Sequence, residues 1–190
     1  MLACASFFAG VGGIDLGFKQ AGFEMVYANE ICEKASDTFK QNHEVNLDTR
    51  DIRDVTSSEI PDFDVMLAGF PCQAFSVAGY RQGFDDEKGR GNLYFELERI
   101  MKDKRPSIVF LENVKNLVGH DKGRTFRIIR RSMEGMGYKI HHKVMNACDY
   151  GNIPQNRERI YVVGFLDDGV SDCFSFPDEI PLNATIRDIF

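Results

Sequence analysis

Short apolar segments alternate with segments of helical periodicity along most of the chain, and this alternation restricts the possible folds more than any other feature. Strands are predicted at residues 2–8, 24–29, 45–47, 64–68, 107–111, 138–145 and 159–165. Helices are predicted between them, at residues 12–21, 32–42, 92–104 and 125–136. This order predicts an α/β protein with a mostly parallel sheet and helices on both faces.

Composition narrows the protein class further. A chain of 190 residues with 43% hydrophobic and 27% charged residues suits one globular domain. No apolar stretch is long enough to span a bilayer, and the apolar start lacks the basic residues of a secretory signal, so a cytosolic protein is expected. The net charge of −6 does not favour a nucleic-acid partner, although basic residues cluster at 102–105 and 122–131.

The cysteines are predicted to be thiols, because their number is odd and their spacing is irregular; they stand at positions 4, 32, 72, 148 and 173. Burial in an unreactive state is expected for all of them except Cys72. The sequence has no C-x-x-C pair, and its histidines are not spaced as metal ligands, so no metal site is expected.

A glycine-rich turn, Phe7-Phe-Ala-Gly-Val-Gly-Gly13, joins the first strand to the first helix. Glycines allow a ligand to approach the backbone, and a helix N-terminus adds partial positive charge. Glu30 ends the second strand, where a carboxylate can hold two ribose hydroxyls. Asp51 could accept from an adenine amino group while Ile52 packs on the ring. Together these features indicate an adenosine-containing ligand. The glycines do not form G-x-G-x-x-G, so NAD is not the first choice.

Cys72 lies in the segment Gly69-Phe-Pro-Cys-Gln-Ala-Phe-Ser76, directly after a buried strand. Ligands of open α/β sheets bind beyond the carboxyl ends of the strands, so this position favours a reactive thiolate. Pro71 has a fixed φ and stiffens the approach to the sulfur. The long polar stretch 69–91 has no regular period and is interpreted as a functional loop.

Charged residues lie at one end of each of two later predicted strands. Glu112 ends an apolar strand, where desolvation favours a protonated carboxyl that could donate to a base nitrogen; a helix cap or surface ion pair is the alternative. Arg157 and Arg159 alternate along a strand and are predicted on one face, where they could meet phosphate or a base carbonyl.

In this order the segments resemble the C5-cytosine DNA methyltransferases of bacterial restriction-modification systems. The matching motifs run from Ser6 to Phe165 and comprise Phe8-Ala-Gly-x-Gly-Gly13, Asn29-Glu30, Asp51-Ile52, Gly69-Phe-Pro-Cys-Gln73, Arg90-Gly-x-Leu93, Glu112-Asn-Val114 and Gln155-x-Arg-Glu-Arg159. The resemblance implies a Rossmann-like fold that uses S-adenosylmethionine and releases S-adenosylhomocysteine. It also implies double-stranded DNA as the substrate, in the bacterial cytoplasm.

The resemblance also implies roles for the matching residues. Cys72 would attack C6 of a flipped-out cytosine, Glu112 would bind N3 and the exocyclic amine, Arg159 would bind O2, and Arg157 would help to hold the DNA. Loop 73–91 would close over the base. The cofactor would be lined by Phe8, Gly10, Gly12, Gly13, Glu30, Ile31, Asp51, Ile52, Pro71 and Leu93. Ile31 stands where some members carry an aromatic residue.

Family members continue with a target-recognition region. Residues 1–166 are therefore expected to form the catalytic and cofactor-binding domain, and 167–190 to begin a linker to that region. The chain is therefore expected to be a fragment, or one subunit that needs a second chain, and to have little activity alone.

Three alternatives stay open. An RNA cytosine methyltransferase would use the same cysteine and carboxylate. A non-catalytic subunit would keep the fold but not the chemistry, which the intact Cys72, Glu112 and Arg159 argue against. A nucleotide-dependent oxidoreductase would account for the glycine turn and Glu30 but not for the later motifs.

Overall fold

The computed structural model describes residues 1–71 and 93–188. The strands are β1 Ala3–Phe7, β2 Glu24–Asn29, β3 Leu47–Asp48, β4 Val65–Ala68, β5 Ile108–Val114, β6 Lys139–Asn146 and β7 Glu158–Phe165. The helices are α1 Gly13–Gln20, α2 Glu33–Asn42, α3 Leu93–Lys104, α4 Arg124–Gly135, α5 Ala147–Tyr150 and α6 Asp168–Asp172. Single 3-10 turns lie at Ile52–Asp54, Ser57–Glu59, Lys115–Leu117 and Ile186–Asp188.

The strands form one seven-stranded sheet in the order β3-β2-β1-β4-β5-β7-β6. Pairing is parallel from β3 to β5, whereas β7 runs antiparallel to both of its neighbours. The strand order reverses between β1 and β4, the switch point where open α/β sheets bind their ligands. The predicted mostly parallel α/β fold is thereby confirmed.

Both faces of the sheet are covered, as the central strand β4 shows. Val65 and Leu67 belong to one apolar cluster, which includes residues of α1, whereas Met66 lies in the larger cluster on the other face. The larger cluster also contains Leu97 of α3 and Ile129 of α4. Side chains alternate between the faces of a strand, so a strand buried on both faces is a continuous apolar run.

The ends of several elements differ from the prediction. Strand β5 continues to Val114, beyond the predicted end at 111, so Glu112 lies within the strand and pairs in register with Tyr161 of β7. Antiparallel hydrogen bonds to β7 extend β5 through residues whose polarity suggested a loop. Strand β3 lies slightly later than predicted, and the short α5 and α6 had no recognisable periodicity.

The C-terminal segment, expected to start a linker, packs first against β6 and β7 and then, as far as residue 184, against the residues that follow β6. The ring of Phe174 lies 5.1 Å from that of Phe165 and 5.3 Å from that of His141. Further along, the backbone N–H groups of Asn183 and Ala184 both donate to Oδ1 of Asn152, at 2.7 and 3.0 Å. The domain boundary at 166 stays a prediction.

Candidate functional site

The carboxyl ends of four neighbouring strands meet at one edge of the sheet. The last residue of β1, Phe7, pairs with Asn29 of β2 and with Ala68 of β4, and Ala68 pairs with Leu111 of β5. The glycine turn, Glu30, the segment 69–71 and Glu112 follow these positions directly. The parallel register therefore gathers four of the sequence motifs at one edge.

The glycine turn takes left-handed backbone conformations at Phe8, Gly10 and Gly12, with φ of 55°, 59° and 86°. Such values favour glycine, and Phe8 adopts one at a cost in strain. A Cβ built on Gly10 or Gly13 would meet no described atom within 4 Å, whereas one on Gly12 would lie 2.1 Å from Nε2 of His43. Among the described residues, the turn is thus closed by His43 on one side and open at Gly10 and Gly13.

Glu30 ties the glycine turn to the start of α2. Its two carboxylate oxygens accept from the backbone N–H of Gly10 at 2.8 Å and of Cys32 at 2.7 Å. Each carboxylate oxygen has two acceptor positions, so both retain capacity for a ribose hydroxyl. The neighbouring Ile31 is 59% exposed beside this carboxylate. The arrangement fits a sugar held near the turn.

Asp51 caps the turn Ile52–Asp54 by accepting from the backbone N–H of Arg53 at 3.0 Å. Its hydrogen bonds with the Arg53 guanidinium lower the pKa of the Asp51 carboxyl, which favours an ionised acceptor. Ile52 is 3% exposed and shares the large apolar cluster with Leu93, the first described residue of α3. Ile52, next to Asp51 in the sequence, and Leu93 thus belong to the same apolar cluster.

Glu112 faces two guanidinium groups. Its Oε1 lies 2.9 Å from Nε of Arg159 and 3.8 Å from Nη2 of Arg157. The side chains of Glu112 and Arg159 are each only 19% exposed. The ion pair that the sequence left open as the alternative for Glu112 is therefore present, with two arginines facing the carboxylate. Arg157 precedes β7, so the two arginines do not share one strand face as predicted, yet both face Oε1 of Glu112.

The segment that leads to Cys72 lies beside this cluster. A Cβ on Gly69 would lie 3.7 Å from Oε2 of Glu112, and the Asn113 side-chain amide donates to the backbone carbonyl of Phe70 at 2.7 Å. Pro71 is the last described residue before position 72, and Cys72 lies outside the described residues. Asn113 thus anchors the approach to Cys72, a role that the motif alone did not indicate.

An open cleft of about 390 Å³ adjoins the same cluster and is lined by residues 114–116 and 155–159. Arg157 and Arg159 contribute to this lining, together with Lys115, whose Nζ pairs with Glu158 at 2.7 Å. Polar and basic walls of this kind suit a ligand that carries negative charge and hydrogen-bonding edges.

Asp15 is a buried acidic residue whose burial was not predicted from the sequence. It is fully buried in the first turn of α1, where Ser6 Oγ donates to its Oδ2 at 3.0 Å. The next residue, the apolar Leu16, is by contrast 47% exposed. His43 approaches the same region, stacked on the ring of Phe39 at 4.4 Å between centroids. Only the rotation of α1 against the sheet decides which side chain points inward.

Replacing Asp15 by asparagine is expected to raise the melting temperature, and increasingly so from pH 4 to pH 8. Burial raises the pKa of Asp15, while the Ser6 hydrogen bond and the charge of nearby His43 oppose that shift. An acid with a raised folded-state pKa contributes stability that is present below the unfolded value, about pH 4, and lost as the pH rises through the folded value. Asparagine keeps the acceptor for Ser6 and removes this loss.

Thermal melts across this pH range test the expectation, because about 1 kcal/mol corresponds to roughly 2–4 °C for a chain of this size. The exposed Asp37→Asn, on α2, is the matched control and should change little. A stability difference between Asp15→Asn and the parent that does not vary with pH would contradict the assignment.

Of the four described cysteines, one is buried as predicted. Cys4 is fully buried, and burial raises the pKa of its thiol to about 12, which makes it unreactive. Cys32 and Cys173 are exposed instead, and Cys148 is intermediate, so the predicted burial is wrong for these positions. All four are free thiols.

Over residues 1–71 and 93–188, no group of three or more His, Cys, Asp or Glu side chains is arranged to hold a metal ion. None of the helices within the same ranges has both the length and the apolar character needed to cross a membrane.

Comparison with protein families identifies one match, to a model described as C-5 cytosine-specific DNA methylase, over residues 2–190. The chain is 55% identical over its whole length to the Type II methyltransferase M.Bsp6I of Bacillus sp. (strain RFL6), covering 60% of that protein. It is 43% identical to the Type II methyltransferase M.HhaI of Haemophilus parahaemolyticus, over 96% of this chain and 54% of that protein. The chain thus spans a little over half the length of these curated relatives.

Solved structures agree on the fold. A mutant of Spodoptera frugiperda DNMT2 superposes with a TM-score of 0.75 and 25% identity, over 95% of this chain and 54% of that one. A putative DNA modification methyltransferase encoded within an E. coli prophage gives a TM-score of 0.74 at 24% identity, over 95% and 53% of the two chains. The Rossmann-like methyltransferase fold expected from the sequence is therefore confirmed.

Proposed function

Because the chain belongs to the C-5 cytosine-specific DNA methylase family, we propose that it transfers a methyl group from S-adenosylmethionine to C5 of cytosine in double-stranded DNA. The observation that carries the proposal is the convergence of Arg157 and Arg159 on Glu112, next to the segment that leads to Cys72. The glycine turn at the same sheet edge would hold the methyl donor near the base.

The pair of Glu112 and Arg159 matches the polar edge of cytosine. A carboxyl group can accept from the exocyclic amine and, once protonated, donate to N3. The Arg159 guanidinium can donate to O2 on the other side of N3. When the base enters, contacts of Glu112 and Arg159 with the base would replace part of their contact with each other, so neither group is left unpaired.

Cys72 supplies the nucleophile in the proposed mechanism. Its thiolate adds to C6, and the electrons of the C5–C6 double bond move toward N3 and O2, where Glu112 and Arg159 stabilise them. Carbon 5 then becomes nucleophilic, and the bound cofactor supplies an electrophilic methyl group. Loss of the C5 proton to a base restores the double bond and expels the Cys72 thiolate. The target base must leave the duplex first, at a cost of roughly a few kcal/mol.

The cofactor-binding residues are proposed as follows. Gly10, Gly12 and Gly13, with Phe8, would line the methionine and ribose part. Glu30 would accept from the ribose hydroxyls, with Ile31 beside it. Asp51 would accept from the adenine amine, Ile52 and Leu93 would flank the ring, and Pro71 would lie near the methyl group. The open side of the glycine turn and the free acceptor capacity of Glu30 support this placement.

DNA-sequence recognition is proposed to reside outside these residues. The relatives M.Bsp6I and M.HhaI are longer than the matched part, so a further region of the same polypeptide or a second chain would read the bases around the target. The cytoplasm of a bacterium is the proposed location, since the substrate DNA is there.

Covalent trapping tests the proposed function. DNA in which 5-fluorocytosine replaces cytosine cannot lose the group at C5, so the Cys72 adduct should accumulate in the presence of S-adenosylmethionine and appear as a mass increase of the protein. Cys72→Ser should give no adduct, whereas the exposed Cys173→Ser should react like the parent. An adduct that survives Cys72→Ser would disprove the assignment of the nucleophile. Trapping by 5-fluorocytosine tRNA and not by DNA would favour the RNA alternative. With the target-recognition region or second chain supplied, no adduct with either substrate would overturn the covalent mechanism.

A further inference from the structure

Arg99 extends from the middle of α3 to the segment that follows β3. Its Nη2 donates to the backbone carbonyl oxygens of Val55, at 2.9 Å, and Ile52, at 3.3 Å. Its Nη1 donates to Ser57 Oγ at 3.0 Å, and its Nε pairs with Glu96 at 2.9 Å. One guanidinium therefore joins the helix to three residues of one short segment, using the fixed fork of donors that only arginine has.

The two elements that Arg99 joins are the two proposed walls of the adenine site. The turn begins with Ile52, and α3 is described from Leu93 onward. The Asp51 cap and the burial of Ile52 and Val55 also hold the turn. A second polar contact lies nearby, where Ser57 Oγ donates to Asp103 Oδ2 of α3 at 2.6 Å.

Helix α3 does not depend on Arg99 for its own position. Its buried face carries Tyr94, Leu97, Ile100 and Met101 in the main apolar cluster. The Arg99 side chain, by contrast, is 34% exposed, and a partly exposed ion pair with Glu96 adds little to stability. Loss of the guanidinium would thus leave the helix in place and free the turn to shift against it.

We propose that Arg99 is a positioning residue that holds the Ile52 turn at the separation from Leu93 that an adenine ring requires, without touching the ring. Displacements of about 1 Å in a binding constellation are enough to reduce its function strongly. The inference rests on the proposed function, because it takes the adenine site as given. It adds a residue of α3 that determines the affinity for the adenosine part of the cofactor.

Calorimetric binding of S-adenosylhomocysteine tests the proposal. Arg99→Met is expected to weaken binding about 10-fold, equivalent to 1.4 kcal/mol. Arg99→Lys should recover only part of this, because the donors of one ammonium nitrogen cannot reach the separate positions of Nη1 and Nη2. The matched control is Lys102→Met on the same helix, which removes an exposed ion pair with Glu98 that does not reach the turn. Its binding should equal that of the parent.

A purely structural role would lower the melting temperature without changing the affinity. For a positioning role, we expect the KM for S-adenosylmethionine to rise while kcat and the KM for DNA stay unchanged. Ser57→Ala, which alters the turn and leaves the helix intact, provides a second variant and should weaken binding by a smaller factor. Parent-like affinity in both Arg99→Met and Ser57→Ala would overturn the inference, whereas a parent that does not bind S-adenosylhomocysteine would overturn the proposed function itself.

Discussion

Replacement of Glu112 by glutamine is expected to lower the rate of methyl transfer by about 100- to 10,000-fold, the range for a group that manages protons in the transition state. Glutamine keeps the shape of the side chain but cannot donate a carboxyl proton to N3. The variant should fold normally, since Glu112 lies near the end of β5 and its side chain is not fully buried. Transfer of labelled methyl groups to duplex DNA measures the effect.

Glu158→Gln is the control for this experiment. Glu158 lies next to Arg159 and pairs with Lys115 at the surface, so its loss should cost little. Arg159→Met should also slow transfer. The increase in activation free energy of the double variant should be smaller than the sum of the two single increases, because the two groups act on one base. Full activity in Glu112→Gln would contradict the proposed role, and strict additivity would argue against a shared base.

Gly12→Ala is the second change with a large expected effect, a loss of cofactor affinity of at least roughly 10- to 100-fold, since strained backbone costs about 1–3 kcal/mol. The new methyl group would lie 2.1 Å from Nε2 of His43, and the φ of 86° is itself unfavourable for alanine. Either the turn or the buried imidazole must move. Calorimetry with S-adenosylhomocysteine and a thermal melt would separate lost binding from lost stability.

The control is Gly17→Ala on α1, the helix that directly follows Gly12. A Cβ at Gly17 meets no described atom within 4 Å, so this change should be neutral or stabilising by about 1 kcal/mol. Combining Gly12→Ala with His43→Ala makes room for the new methyl group and should restore part of the binding. The remaining deficit would measure the backbone strain alone. Failure of the double variant to recover any affinity would show that His43 is not the obstacle.

The strands β2 and β4 were predicted almost to the residue. Strand β2 has an apolar run between Glu24 and Asn29, and β4 is apolar throughout because both faces of the sheet are covered. Glu30 and Glu112, too, were singled out from local patterns: Glu30 directly follows β2, whereas Glu112 was expected after a strand that in the structure continues through it to Val114. Such signals are contained in a few consecutive residues and need no knowledge of the rest of the chain.

The pairing of Arg159 with Glu112, by contrast, is not encoded in a few consecutive residues. It depends on the antiparallel register of β7 against β5, in which Val114 lies opposite Arg159, and this register brings together residues far apart in the sequence. The prediction had both arginines on one strand face, whereas Arg157 reaches the carboxylate from outside the strand. Strand order decides such contacts, and local periodicity does not encode it.

The amino-acid sequence alone determined the α/β class, the order of the motifs and the chemistry that each motif offers, because these properties lie in short stretches of residues. Tertiary structure alone decided that Asp15 is buried behind the glycine turn and that Arg99 reaches the Ile52 turn. Both outcomes depend on how helices rotate and pack on the sheet, which is set by the balance of burial over the whole core and not by neighbours along the chain.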